Sequence, residues 1–325
     1  MLRTRICEAL KIDHPVVLGG MASGTNPALV AAVTGAGGLG TLGVTFLPPD
    51  QQRAGVGRIR ELTPGPFGLN HLLAFATEDR FAATLEARPR VVSTAWPWSD
   101  QDLRPFFGRA HDAGSLVMHM VSGVPEAVRA VEAGADIIVA QGTEGGGHVG
   151  WMGTIALVPQ VVRAVDPVPV LAAGGVADGA GLAAALALGA EGVLLGTRFL
   201  ATPEAPIAQA YKQAILDSDG HNTMLTEIAD IASGRVWPGA MSRVARNRFI
   251  ERWAGREWEV RQRRYEIGRQ LLSARDRGDP DESNLQMGQT AGLITSIIPA
   301  AQIVREIVAE AERIIRRRLP GLVAG

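Results

Sequence analysis

A single cysteine, Cys7, stands among 325 residues. One thiol closes no internal disulfide, and no Cys pair is there to hold a metal, which fits a reducing cytoplasmic compartment. No cluster of His, Asp and Glu has the spacing of a metal site, so no metal is expected. Lysine occurs only at positions 11 and 212, and the net charge is −1, so no global field draws the chain to nucleic acid or to an anionic membrane. The sequence has no uncharged apolar run of membrane-spanning length, because Asp178 and Glu191 interrupt its richest region. The first fifteen residues lack the continuous apolar centre of a signal peptide. No Ser-His-acid set is readable, and Ser23 lacks the strand-turn-helix setting of a nucleophile. The first glycine turn, Gly19-Gly20-Met21-Ala22-Ser23-Gly24, does not have the Gly-x-Gly-x-x-Gly spacing of a dinucleotide-binding open sheet.

Glycine, by contrast, is abundant: 39 residues, about 12% against a usual ~7%. Many of these glycines end short apolar runs. Eight such runs, at 16–20, 38–43, 67–72, 91–95, 116–120, 136–141, 170–174 and 192–199, read as strands rich in Val, Ile and Leu. Helical patterns separate them, for example at 27–34, 125–133, 159–165 and 181–188, and Asn26-Pro27 is a clear helix start. Strands that are apolar on both faces belong to a parallel sheet covered by helices. Eight such units predict an α/β fold, a closed (β/α)₈ TIM barrel. The alternation stops after Phe199. A helix is expected at 203–216. Residues 217–290 carry Trp237, Trp253 and Trp258 with Arg interleaved among Glu, which predicts an inserted, mainly helical cap. The Arg-rich stretch 243–277 reads as a solvated face held by acid–base pairs, not as a nucleic-acid surface. The expected division is therefore a barrel at 1–216, a cap at 217–290 and a C-terminal helix at 291–325 returning to the barrel. Without the cap the chain has the length of an ordinary barrel, about 250 residues.

Three segments carry candidate chemistry. Gly174-Gly175 ends the seventh barrel strand, and Leu194-Leu195-Gly196-Thr197 lies in and after the eighth. In barrels these two loops often form a phosphate site, where backbone N–H groups face the anion and glycine removes the obstructing Cβ. The third segment, residues 141–150, follows the sixth strand and reads Gln-Gly-Thr-Glu-Gly-Gly-Gly-His-Val-Gly. Its glycines let backbone lie flat against a ring, and His148 comes next, on a loop, as a candidate base or donor. Of the other histidines, His14 lies at the barrel floor, His71 should point away from its neighbour Asn70, His111 lies in a helix, and His221 begins the cap within reach of the site.

These segments bear a specific likeness. Residues 15–40, ending in Ala36-Gly37-Gly38-Leu39-Gly40, residues 141–150, residues 172–179 and residues 196–199 with Ala201-Thr202 resemble the nitronate monooxygenase family, formerly called 2-nitropropane dioxygenases, and the related flavin-dependent enoyl-ACP reductases. The similarity runs over residues 12–205 and resumes at 288–292. The resemblance implies an FMN-dependent oxidoreductase. It implies that Gly20, Met21 and Ala22 lie against the isoalloxazine, that Asn70 hydrogen-bonds it, and that Gln141, Gly146 and Gly147 touch ring and ribityl chain. Gly174, Gly175, Leu194, Leu195, Gly196 and Thr197 would hold the phosphate. His119 stands where relatives often carry a Lys near the flavin, and His148 would be the catalytic residue facing substrate. Gly145 departs from the Ala usual in the family. The implied reaction is oxidation of alkyl nitronates, or nitroalkanes, with O₂ to a carbonyl compound and nitrite. The alternative is an NAD(P)H-dependent flavin reductase acting on an enoyl thioester or a quinone. NAD(P)H as co-substrate and a homodimeric state are left open. IMP dehydrogenase and guanosine-monophosphate reductase share the phosphate turns, but they need a loop Cys after the sixth strand, and Cys7 lies elsewhere. A non-enzymatic phosphate or nucleotide sensor would leave His148 without a purpose.

Overall fold

The apolar runs that end in glycine or a small polar residue become parallel strands. The computed structural model describes residues 2–323; residues 1, 324 and 325, at the outer limits of the expected barrel and C-terminal segments, lie outside it. Named in chain order, the strands are β1 (Val16–Leu18), β2 (Gly40–Gly43), β3 (Phe67–Leu72), β4 (Val91–Ala95), β5 (Leu116–Val121), β6 (Ile137–Gln141), β7 (Gly147–Val149), β8 (Val170–Ala173), β9 (Val193–Leu195), β10 (Thr223–Thr226) and β11 (Met241–Ala245). Eight of them form one parallel sheet in the order β1-β9-β8-β6-β5-β4-β3-β2. The two ends meet through Val17 and Leu39, where Leu18 N–H donates to Leu39 O at 2.9 Å and Leu39 N–H donates to Val16 O at 3.0 Å. The result is the expected (β/α)₈ TIM barrel, with no free sheet edge to protect.

Side chains alternate across each strand. Leu18, Val92, Val117, Ile138, Ala172 and Val193 point outward into the layer of helices, against Leu29, Phe81, Phe107, Val158 and Leu182. Val17, Val91, Met118, Val139, Leu171 and Leu194 point inward. The N-terminal helix Arg5–Leu10 closes the floor with Ile6, Cys7 and Leu10. That leaves the opposite mouth, at the strands' C-terminal ends, as the open face of the barrel.

Several boundaries differ from the sequence expectation. The expected strand 192–199 ends at Leu195, because the backbone turns at Gly196 and Thr197–Leu200 forms a helical turn. The helix expected at 159–165 starts earlier, as Thr154–Val165 with Pro159 inside it. The proline is tolerated there because the carbonyl it cannot serve belongs to Ile155, which is exposed to water. The helix expected from 203 starts at Gln209, after the turns imposed by Pro203 and Pro206. The tail makes a short 3₁₀ turn (Gln289–Leu293) and then the helix Ala300–Arg313. This last helix packs on the helices Gly179–Ala187 and Pro27–Gly35 and completes the outer ring.

The cap holds helices Ile228–Ser233, Arg248–Trp253, Glu257–Gln262 and Arg264–Asp276 around Val244, Phe249, Ile250, Trp253 and Ile267. Its charged face is bound by exposed pairs, Arg256–Glu259 at 2.6 Å and Arg263–Glu266 at 2.8 Å. Its strands were not expected from the sequence. β10 and β11 pair antiparallel, and β11 also pairs with β7, so a three-stranded sheet stitches the cap to the loop after β6. Among the described residues no helix is long and apolar enough to cross a membrane.

Candidate active site

The strand ends of β8 and β9 are hydrogen-bonded neighbours, so their two turns share one rim of the mouth. Gly174 and Gly175 have φ of +78° and +72°. Two successive left-handed residues are affordable only for glycine. A Cβ on Gly174 would also meet Gly142 O at 2.6 Å. Leu194 faces the barrel interior against Gly19, whereas the Leu195 side chain points outward into the helix layer. Leu195 can therefore face the mouth only through its main chain, and its carbonyl already accepts Gly19 N–H at 2.9 Å. Thr197 Oγ1 accepts Gly288 N–H at 2.9 Å, which draws the segment returning from the cap onto this rim and leaves the hydroxyl proton free to donate.

Next to this rim, Gly20 and Met21 follow β1, which pairs with β9, and Ala22 adopts the left-handed region at φ +43°. Asn70 points inward from β3, packs against Gly20 and donates to Ser93 Oγ at 3.0 Å. Gln141 ends β6 on the inward face, and its Oε1 is buried without a hydrogen-bond partner. Gly146 lies against the backbone of Met287 and Gly288, with no room for a side chain. A methyl on Gly145 would sit 3.2 Å from Val149 Cγ1, so an Ala there would require that side chain to move.

His148 lies on β7, between Gly147 and Val149, with Ser242 of β11 opposite it. Its Nε2 is 2.9 Å from Asp230 Oδ2, and both side chains are mostly buried, at 8% and 14% exposure. The indole of Trp237 stacks on the imidazole, with ring centroids 3.3 Å apart and planes 12° from parallel. Trp237 in turn meets Phe75 edge-on at 5.0 Å and Trp96 at 6.4 Å. Phe75 and Trp96 follow β3 and β4, so an aromatic lid from barrel and cap covers this side of the mouth. Trp96 takes φ +52°, an uncommon conformation for a bulky residue. Arg243 of β11 is buried beside the same loop and donates from Nε to Thr143 O at 2.8 Å. Burial lowers its pKa, and the Glu144 carboxylate opposes that shift. Glu144 accepts from Thr154 N–H and Oγ1, both at 3.0 Å, and so caps the helix that follows.

The family model for nitronate monooxygenase matches residues 3–83 and 74–310. The chain belongs to the nitronate monooxygenase family. A probable nitronate monooxygenase of Staphylococcus aureus (strain MSSA476) is 30% identical, covering 97% of this chain and 99% of that protein. The solved structure of FabK from Thermotoga maritima superimposes with a TM-score of 0.89 at 34% identity, covering 99% of this chain and all of that one. A nitroalkane oxidase from Streptomyces ansochromogenes superimposes with a TM-score of 0.83 at 30% identity, covering 96% and 99%. This protein is accordingly an enzyme, a flavin-dependent oxidoreductase, as the sequence resemblance implied.

Of the residues expected at the flavin of a nitronate monooxygenase, Gly20, Met21, Ala22, Asn70, Gln141, Gly146, Gly147, Gly174, Gly175, Leu194, Gly196 and Thr197 lie on strand ends and loops around one mouth. His119 does not join them. It points outward from β5, where its Nδ1 is 2.7 Å from Thr94 Oγ1 and its ring packs 5.5 Å from Phe107. Burial, and secondarily the Arg129 charge, lower its pKa to about 3, so it is neutral at ordinary pH. The inward neighbours at that level are Met118 and Met120. His221 is exposed at the start of the cap. Sequence reasoning missed Asp230, Trp96, Phe75 and Arg243 and kept Trp237 as cap only. The helical spacing of Ile228, Ala229 and Ala232 marks the buried face beside Asp230, but nothing local announces its partner 82 residues away.

Proposed function

We propose that the protein holds FMN at this mouth and oxidises alkyl nitronates, or their parent nitroalkanes, with O₂ to a carbonyl compound and nitrite. The observation that carries the proposal is the imidazole of His148 at the mouth, beside the glycine rim and under the aromatic lid. The residues suit FMN on their own chemistry. The two glycine turns offer unobstructed backbone N–H groups to a phosphate. Gln141 Oε1 is a buried acceptor without a donor, and such atoms are rare in proteins unless a ligand or water completes them. A flavin ring bears an N–H able to do so. His119 is left out of the proposed flavin set, since its ring faces Phe107.

A flavin held there would supply the redox chemistry. The protein does the rest. Met21 and Asn70 would hold its ring. For a neutral nitroalkane His148 removes the α-proton, and the N–H so formed can then donate to the nitro oxygens of the resulting nitronate. Trp237, Trp96 and Phe75 cover the substrate with apolar surface.

A second activity, NAD(P)H-dependent reduction of an enoyl thioester or a quinone, is favoured by one feature. Trp151, Met152 and Ile155 are exposed apolar residues directly after β7, a surface suited to a larger apolar acceptor. One experiment separates the two. Purified holoprotein is mixed anaerobically with propyl-2-nitronate, NADH or NADPH, and flavin absorbance is followed. Bleaching by nitronate, then O₂ uptake with nitrite release in air, is the expected result. Bleaching by NAD(P)H with none by any short nitronate would replace the first activity by the second.

A further inference from the structure

We propose that Asp230, on the cap, is a positioning residue for His148: it fixes the imidazole in the tautomer that leaves Nδ1 as the proton-accepting atom. This inference rests on the proposed nitroalkane chemistry for its kinetic consequence, though not for its structural one.

The starting observation is a mostly buried carboxylate facing one nitrogen. Asp230 Oδ2 is 2.9 Å from His148 Nε2. An ionised carboxylate only accepts hydrogen bonds, so Nε2 carries the proton and the lone pair is on Nδ1. Nδ1 makes no hydrogen bond to the described residues and is not sealed among the buried unpaired atoms. It is therefore the ring atom left open to a ligand.

Two further contacts prevent the ring from exchanging its nitrogens. Trp237 covers one imidazole face at 3.3 Å. The backbone of His148 is fixed by pairing with Ser242 of β11. All three restraints come from residues 230–242, so the cap sets the orientation of a residue carried by the barrel. They also favour the charge that arises when Nδ1 takes a proton: the new imidazolium has a carboxylate on its Nε2–H and an electron-rich indole on its face. The step is a simple proton transfer. The α-C–H bond of the nitroalkane breaks, its electron pair stays on the substrate as nitronate, and the proton moves to Nδ1.

Removing the charge while keeping the shape tests this. In Asp230→Asn the amide can donate to Nε2 and so move the imidazole proton to Nδ1, the wrong tautomer, as the equivalent change does in serine-protease triads. ¹⁵N NMR of histidine-labelled holoprotein reads the tautomer directly, with the His148 signals identified by their loss in His148→Asn. In the neutral ring the expected wild-type spectrum has Nε2 protonated and Nδ1 bare, and Asp230→Asn shifts the population to Nδ1-protonated. Turnover of neutral nitroethane should fall by about 10²-fold or more. Turnover of preformed ethyl nitronate, which needs no proton removed, should change by less than about 3-fold. Asp230→Glu, which keeps the acceptor, should restore the tautomer and part of the nitroethane activity. A merely structural role would lower both substrates together.

A wild-type spectrum with the proton on Nδ1 would overturn the proposal without any variant. So would an unchanged tautomer in Asp230→Asn, an equal loss on both substrates, or a wild type that oxidises nitronate but not nitroethane. Failure of the proposed function looks different: neither substrate is turned over while NAD(P)H bleaches the flavin, and the tautomer spectra alone then decide whether Asp230 positions His148.

Discussion

Asn70 and His71 are adjacent on β3 and do unrelated work. Asn70 faces the mouth and bonds Ser93, while His71 faces the helix layer, 2.7 Å from Thr84 Oγ1 and 5.3 Å from the Phe81 ring. Burial, then the Arg80 charge, lower the His71 pKa to about 4. His119 repeats the arrangement on β5, with a pKa of about 3. Both rings are neutral when folded and take up protons near pH 6.5 when unfolded. The unfolded state therefore binds more protons below pH 6.5, and stability falls as pH falls from there toward pH 4 and pH 3. Between pH 6.5 and 5 each ring should cost the folded state about 2 kcal/mol. Urea midpoints at pH 7 and pH 5 check this: His71→Gln should flatten the difference by roughly one ring's share, and an unchanged difference would refute the assignment. These pairs also show what the sequence could tell. The facing of His71 follows from its neighbour, because Asn70 at a strand's C-terminal end belongs at the mouth. The facing of His119 does not, because the run Leu116–Val121 is buried on both faces and no polar alternation separates inside from outside.

Elements that pair over a long sequence distance were the least legible. β7 is three residues long and starts with a glycine of φ +76°, and alone it reads as a loop. It becomes a strand only because β11, more than ninety residues later, lies beside it. Strand preference depends on such neighbours more than on the residues themselves. The barrel strands were readable because each repeats a local signal of apolar run, turn and helix. The same dependence makes the lid testable. Trp237 sits four residues before β11 and touches His148, Phe75 and Trp96. Aromatic pairs of this kind contribute about 0.5–1.5 kcal/mol each beyond area burial. Trp237→Ala should therefore leave the barrel folded, with its flavin content unchanged, but raise KM for short nitronates by roughly 2- to 10-fold, the same energy expressed as binding. Steady-state kinetics across a chain-length series would show it most for the smallest substrates, which fill the mouth least. An unchanged KM throughout the series would mean that the lid does not cover substrate.

At the scale of the whole molecule, the chain leaves the barrel after β9, builds the cap, and must return to finish the ring of helices. The returning helix Ala300–Arg313 buries Ile303, Val304, Ile307 and Val308 against the barrel. It approaches closely at Gly179, four residues beyond the Gly174-Gly175 turn. Gly179 N–H donates to Glu310 Oε2 at 2.9 Å, and a Cβ on Gly179 would meet Glu310 Cβ at 2.5 Å and both Ala311 N and Ile307 O at 2.6 Å. Two of those atoms are backbone and cannot rotate aside, so Gly179→Ala has to displace one helix from the other. Overpacking of this kind costs about 1–3 kcal/mol, equivalent to a fall in Tm of several degrees for a chain of this size. The glycine turn of the phosphate rim leads straight into the displaced helix, so flavin retained after gel filtration should fall as well. Gly108→Ala, in a helix with open space at the Cβ position, serves as the control and should be neutral or stabilising by up to about 1 kcal/mol. If Gly179→Ala melts with the wild type and keeps its flavin, the C-terminal helix is not the clasp that this contact makes it.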